Sequence, residues 1–157
     1  MRQYDPGAEG VDHVNAYSKS KLPIGQLLSN YAHTPFLCSD GGFSSMEGYW
    51  YWLGVREDHP RRDELRHVHG FRAKQLGRYL REGVRTPAHD FEGRVERGFV
   101  AKLRQHPEFI DPWWKYAHLP IVHYYLSIDG VITTPRSHGW LWDHMNTVRR
   151  QLFGLKT

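Results

Sequence analysis

The chain has 157 residues, a formal net charge of +4 and one cysteine, Cys38. Its length suits a single domain whose core needs neither disulfide nor structural metal, and a lone cysteine excludes an intramolecular bridge. No apolar run approaches a membrane span and the N-terminus has no apolar signal core, so a cytoplasmic protein with no membrane partner is expected. The basic balance, with a pI near 9.3, tilts towards a phosphate-bearing partner, nucleic acid among them, although an ordinary basic surface accounts for it more simply. Six Trp, nine Tyr and seven Phe exceed the needs of a core this size. Planar rings beyond those needs suit a pocket that stacks on a base or a sugar.

Residues 1–13 are polar, with Pro6, Gly7 and Gly10, and read as a flexible segment ahead of a domain at 14–157. A short strand is predicted at 14–17, and Pro23 with Gly25 breaks any helix in the basic stretch before them. Residues 35–45 read as a hairpin, with Phe36, Leu37 and Cys38 as the apolar strand and Asp40-Gly41 as the turn. A helix follows to about residue 55, and Ser44 with Glu47 three residues later fits a capping box. Beyond a charged loop around Pro60, Asp63 caps a second helix through Leu65, Val68, Ala73, Leu76 and Leu80, with Gly70 and Gly77 as weak points. A basic face, Arg66, Arg72, Lys74, Arg78 and Arg81, follows the same stretch. Residues 83–89 form a loop, and Asp90 caps the cleanest helix, with Phe91, Val95, Phe99 and Leu103 on one face. A short helix at 107–117, a strand at 121–128, a turn at Asp129-Gly130 and a last helix at 140–153 complete the chain. That last helix turns Leu141, Met145, Val148 and Leu152 inward and stops at Gly154. The fold class is α+β, a mainly helical single domain with small β hairpins.

The segment Gly25-Gln26-Leu27-Leu28-Ser29-Asn30-Tyr31 resembles the G-x-L-S-N-F signature of the NADAR superfamily, also called YbiA-like. Pro35-Phe36, Asp40-Gly41 and Ser45-Met46-Glu47 ahead of Tyr49-Trp50-Tyr51 are similar to its next signature. Ala73-Lys74-Gln75-Leu76-Gly77-Arg78 resembles its A-K-x-L-G-R block, and Ala101-Lys102-Leu103 with His106-Pro107 its K-F-x-x-N-P block. The blocks stand in the family's order. The chain departs from the pattern where Gly48, Tyr51 and Gly54 replace a His, a Gln and a Lys, and Ser137-His138-Gly139-Trp140 stands in for a D-x-x-W-G block. The resemblance implies a YbiA-like fold and hydrolysis of an N-glycosidic bond without a cofactor. It implies a ribosylated base or nucleotide-like substrate: an ADP-ribosyl group, a ribosylamino-pyrimidine or a modified DNA base.

Cleaving an N-glycosidic bond gives the sugar oxocarbenium character. A carboxylate near C1 stabilises that charge and activates water. Glu47 is the candidate. By spacing alone a helix cap is the simpler reading, and the resemblance reverses that order. Asn30 offers a hydrogen bond to a ribose hydroxyl or base, or else bonds its own turn, and Ser29 is a weaker case of the same choice. Trp50 and Tyr51 can each stack on a base, although core packing explains either one alone. Arg78 can neutralise a phosphate or lie on a solvated face; for Arg72 and Lys74 the solvated face is favoured. Trp140 is a stacking platform or a core ring. His67 and His69, two apart, do not share a helix face, and no metal-ligand set is evident, so no metal is expected. A non-catalytic module that binds ADP-ribose, a nucleotide or nucleic acid is the main competing reading. A structural protein whose aromatics serve an interface is the third.

Overall fold

The computed structural model describes residues 3–83 and 87–156, so part of the predicted loop at 83–89 lies outside the described residues. In order the chain forms β1 (Val14–Asn15), α1 (Pro23–Leu28), β2 (Phe36–Cys38), β3 (Gly41–Phe43), α2 (Met46–Gly54), α3 (Gly70–Arg81), α4 (Phe91–Gln105), α5 (Ile110–Trp114), β4 (Ile121–Val122), β5 (Tyr125–Leu126), β6 (Ile132–Thr133) and α6 (Gly139–Phe153). Short 3₁₀ turns occupy Pro6–Ala8, Arg62–His67 and Pro107–Phe109. Helices dominate and the described strands pair only in twos, so the architecture is α+β, as expected. By contacts the chain divides into two compact units, Met1–Ser29 with Glu108–Thr157, and Asn30–Pro107.

In the first unit β1 runs parallel to β4, Val14 beside Ile121 and Asn15 beside Val122. Two asparagine amides extend this short ladder by imitating backbone. Asn15 donates to Tyr124 O at 2.9 Å and accepts from Tyr124 N at 3.1 Å. Asn146 of α6 does the same for Ile121, at 2.7 and 2.8 Å. With Asn15 holding Tyr124, the predicted strand at 121–128 splits: β4 pairs with β1, whereas β5 pairs with β6. Pro23 begins α1 instead of breaking a helix, because at the first helical position its missing N–H forfeits no bond. In α6, Leu141 and Met145 are buried as expected, but Leu152 is 44 % exposed. Arg149 is buried in its region and donates to Ala117 O. The N-terminal stretch is held by Glu9, whose carboxylate accepts from the backbone N–H of Asn15 and Lys21, each at 3.1 Å.

In the second unit Cys38 pairs with Gly41, so the hairpin turns at Ser39-Asp40, one residue earlier than predicted. Gly41 takes the positive φ of +100° that the turn requires. The second predicted helix is broken. A 3₁₀ turn ends at His67, and α3 starts afresh at Gly70, whose φ is +62°. Asp63 does not cap it. Its carboxylate accepts from Trp52 Nε1 and Arg66 Nε, both at 2.9 Å. On α4 the row Phe91, Val95, Phe99 and Leu103 is buried, as its spacing predicts. Asp90 precedes that helix in a left-handed conformation and pairs with Arg97 at 3.0 Å rather than capping.

Three glycines let the helices of this unit approach closely. A Cβ on Gly48 would lie 2.3 Å from Leu65 O, one on Gly77 2.1 Å from Tyr51 Cγ, and one on Gly98 2.7 Å from Tyr49 Cε1. Neither a carbonyl in a fixed turn nor the root of a buried ring can move aside cheaply. Gly48→Ala and Gly77→Ala are each expected to cost about 1–3 kcal/mol of stability by overpacking, read as a lowered urea midpoint at unchanged slope.

Candidate functional site

Glu47 is the second residue of α2, and its backbone N–H donates to Asn30 O at 2.9 Å. The next carbonyl, Tyr31 O, accepts from Gly70 N at 3.1 Å. The starts of α2 and α3 are thus tied to adjacent residues of one loop. The capping-box expectation fails here in an informative way. The N-cap is Ser45, whose Oγ accepts from Gly48 N at 3.0 Å and donates to Val68 O at 2.9 Å. With Gly48 in the third helical position there is no reciprocal acid, and the Glu47 carboxylate is not used on the cap.

Glu47 is 9 % exposed. Burial raises its carboxyl from 4.5 to about 7, against the opposing charges of Lys74 and Arg78 on α3. Tyr51, one turn further along α2, lies directly on Gly77. Its phenol is raised by burial and by the negative charge of Glu47, while Arg78 beside its hydroxyl and Arg81 pull the other way. The Arg81 guanidinium stands 5.4 Å from the ring centroid. Glu47 and Tyr51 are four apart on α2; Lys74, Arg78 and Arg81 are four and three apart on α3. These two rows face each other, one carrying the carboxylate and phenol and the other three cations.

Asn30 adds a fourth kind of group. Its Oδ1 is buried and has no hydrogen-bond partner. An unpaired buried acceptor costs about 1–3 kcal/mol. It is therefore a group that a ligand N–H or O–H would satisfy.

The other predicted site residues fall differently. Trp50 is half-buried and meets Phe91 edge-on, 4.8 Å between centroids at 84°. Ser29 closes α1 as its C-cap, and Trp140 is the second residue of α6; both belong to the first unit. Gly41 and Gly42 are hairpin residues, and Arg66 Nη1 bonds the carbonyls of Asp40 and Gly42 at 2.7 and 3.4 Å. Lys74 is the residue that the sequence reading undervalued. Its four-residue spacing from Arg78 was a usable sign, because it places both on one side of α3, from which their charges reach Glu47. Lys102 of α4, part of the Ala101-Lys102-Leu103 block, is fully buried, and burial lowers its ammonium to about 7. Among the described residues no group of three or more His, Cys, Asp or Glu is placed to hold a metal ion. No described helix is long and apolar enough to cross a membrane.

The other side of α2 is braced by ion pairs and rings. Burial would raise the Asp40 carboxyl, but Arg94 Nη2 at 2.7 Å and the Tyr49 hydroxyl at 2.6 Å outweigh it and hold it below the usual value. Trp52 carries the Arg62 guanidinium 3.6 Å over its ring and Arg66 at 4.7 Å.

In comparisons with known proteins, no family model matches the chain and no curated protein matches it in sequence. Among solved structures, the NMR structure of the Escherichia coli protein YbiA is similar, with a TM-score of 0.62 over 95 % of this chain and 93 % of that one. Identity is 18 %, so the likeness is one of fold. The chain has a YbiA-like α+β fold.

The raised carboxyl of Glu47 has a stability consequence whose sign is fixed. Below pH 4.5 the group is neutral folded or unfolded, and its burial costs nothing as a charge. As pH rises to about 7 the unfolded chain releases a proton that the native state retains. Above that, the buried charge costs about 3 kcal/mol, at 1.36 kcal/mol per unit. Glu47→Gln escapes this cost. Urea unfolding is expected to find the variant more stable than wild type at pH 8 by up to about 3 kcal/mol, with the gain gone at pH 4.

Proposed function

We propose that the chain is a divergent NADAR-type N-glycosidase acting on a ribosylated base or nucleotide-like substrate, with Glu47 as its catalytic carboxylate. One observation carries this reading: a buried carboxylate, unused by its helix cap and raised by burial to about 7 against the charges of Lys74 and Arg78, on a helix whose start is bonded to Asn30, a residue with an unsatisfied amide oxygen. The order of sequence blocks and the YbiA-like fold support it.

In the proposed reaction the C1–N bond breaks and its electron pair leaves with the base. The ionised Glu47 stabilises the resulting oxocarbenium and takes a proton from the water that attacks C1. The departing base nitrogen takes its proton from solvent. Asn30 Oδ1 accepts from a ribose hydroxyl or an N–H of the base. Lys74 and Arg78 decide the substrate class further. Two cations beside a group that must stabilise a third positive charge work against it unless an anion neutralises them. The substrate therefore brings a phosphate, held by Lys74 and Arg78. Tyr51 and Trp50 are the proposed stacking rings.

Glu47→Gln is expected to lose hydrolysis by about 10²-fold or more while still binding the phosphorylated substrate. Full turnover by a folded Glu47→Gln protein would overturn the mechanism. Binding that persists in Glu47→Gln, with no turnover of any ribosylated compound by wild type, selects a non-catalytic binding module instead. The loss of the family's lysine at Gly54 favours that second reading.

The pH profile of kcat/KM gives an independent check. Its rising limb is expected near pH 7, where Glu47 ionises. Lys74 lowers that value, so Lys74→Met is expected to move the limb upward in pH. An unmoved limb assigns the titration to another group.

A further inference from the structure

Helix α3 buries Ala73, Gly77 and Leu80 and turns Phe71, Arg72, Gln75, Arg78 and Tyr79 outward. Phe71 is 60 % and Tyr79 70 % exposed, which is unusual for rings in a chain with a core to fill. At 100° per residue, Phe71 and Arg78 fall on one stripe of the helix, and Arg72 and Tyr79 on the neighbouring one. Each stripe pairs one ring with one guanidinium, in opposite order, with Gln75 between them. No acidic residue interrupts residues 70–81. Across from Tyr79, Arg61 sets its guanidinium 5.8 Å from the ring centroid.

We propose that this outer face of α3 is a docking surface for single-stranded nucleic acid. A strand offers two repeating features, flat bases and a phosphate per nucleotide, and the face offers both complements. Rings take bases irrespective of sequence, and arginines track the backbone. Phe71 and Tyr79 stand about 12 Å apart along the axis, far enough for each ring to take a separate base of one strand. A duplex has its base faces covered and could use only the charges. The protein's net charge of +4 has the sign the partner requires.

The surface adjoins the candidate site through Arg78, whose charge acts on Glu47 while its backbone lies beside Tyr79. That link rests on the hydrolase reading: the docked strand would then present a ribosylated or modified base to Glu47. The docking itself does not depend on hydrolysis.

The test is fluorescence anisotropy with a labelled mixed-sequence oligonucleotide of about 20 nucleotides, as DNA and as RNA, single-stranded and as duplex. Wild type is expected to bind the single strand more tightly than the duplex, with affinity falling steeply between about 50 and 200 mM salt. Phe71→Ala and Tyr79→Ala are each expected to weaken single-strand binding about tenfold or more. Arg72→Ala is expected to flatten the salt dependence by about one phosphate contact. Both rings are exposed and the double variant is expected to fold, which its circular dichroism and urea midpoint check. Unchanged affinity in the double variant, or equal affinity for duplex, overturns the proposal. So does an acidic peptide that competes as well as the oligonucleotide. Hydrolysis of a free phosphorylated ribosylated base separates the two readings. If the double variant loses the strand but keeps that hydrolysis, both stand. If wild type hydrolyses nothing while strand binding still depends on the rings, docking stands and the glycosidase reading fails.

Discussion

Two backbone hydrogen bonds hold the candidate site in place. Asn30 O accepts the Glu47 N–H, and Tyr31 O accepts the Gly70 N–H. One dipeptide thereby fixes the starts of two helices. Everything the site uses follows from that: the row Glu47–Tyr51 on α2, the row Lys74–Arg78–Arg81 on α3, and the Asn30 amide itself. Gly77 sets how close the rows come, because only a residue without a Cβ accommodates the Tyr51 ring.

The electrostatics of Glu47 can be decided by magnitude. An acid in the first turn of a helix is favoured as a charge by about 0.3–1 kcal/mol. Two nearby cations favour it further. Its carboxyl nevertheless rises from 4.5 to about 7, a net cost for the charge of about 3 kcal/mol. Burial therefore outweighs the helix dipole and both cations combined. The unit tolerates this strain because α2 is anchored elsewhere. Asp40 with Arg94 and Tyr49, and Trp52 between Arg62, Arg66 and Asp63, tie the opposite side of the helix with satisfied charges and rings. The cations there are spent on structure, whereas among the described residues no carboxylate forms an ion pair with Arg72 on the outer face of α3.

Periodicity made much of this legible. The α4 row from Phe91 to Leu103 and the start of α6 came directly from four-residue spacing, and the hairpin from its turn chemistry. What misled were residues whose role depends on a neighbour. Pro23 reads as a breaker or a first helical residue according to where the preceding chain turns. Asp63 has the chemistry of a cap, but the Trp52 indole and Arg66 claim it. The strand at 121–128 divides because Asn15, over a hundred residues away, occupies the backbone of Tyr124. At the site, Glu47 and Asn30 were visible as residue types, but the burial that changes Glu47's titration was not. That burial needs the close contact at Gly77 and the break before Gly70, and a helix reading treats both glycines as weak points.

The same balance gives the proposed site a response to its own substrate. Lys74 and Arg78 are what keep the Glu47 carboxyl from rising further. A phosphate that pairs with them removes most of that support, and closure over the ligand removes water. Both changes raise the Glu47 pKa above its free value. At neutral pH the bound complex then takes up a proton on Glu47. The ionised carboxylate that the proposed reaction needs opposite the oxocarbenium therefore forms at a higher pH in the complex than in the free protein, and kcat is expected to rise at a higher pH than kcat/KM. A buried carboxylate between two cations in this way couples its own ionisation to a phosphate on the substrate.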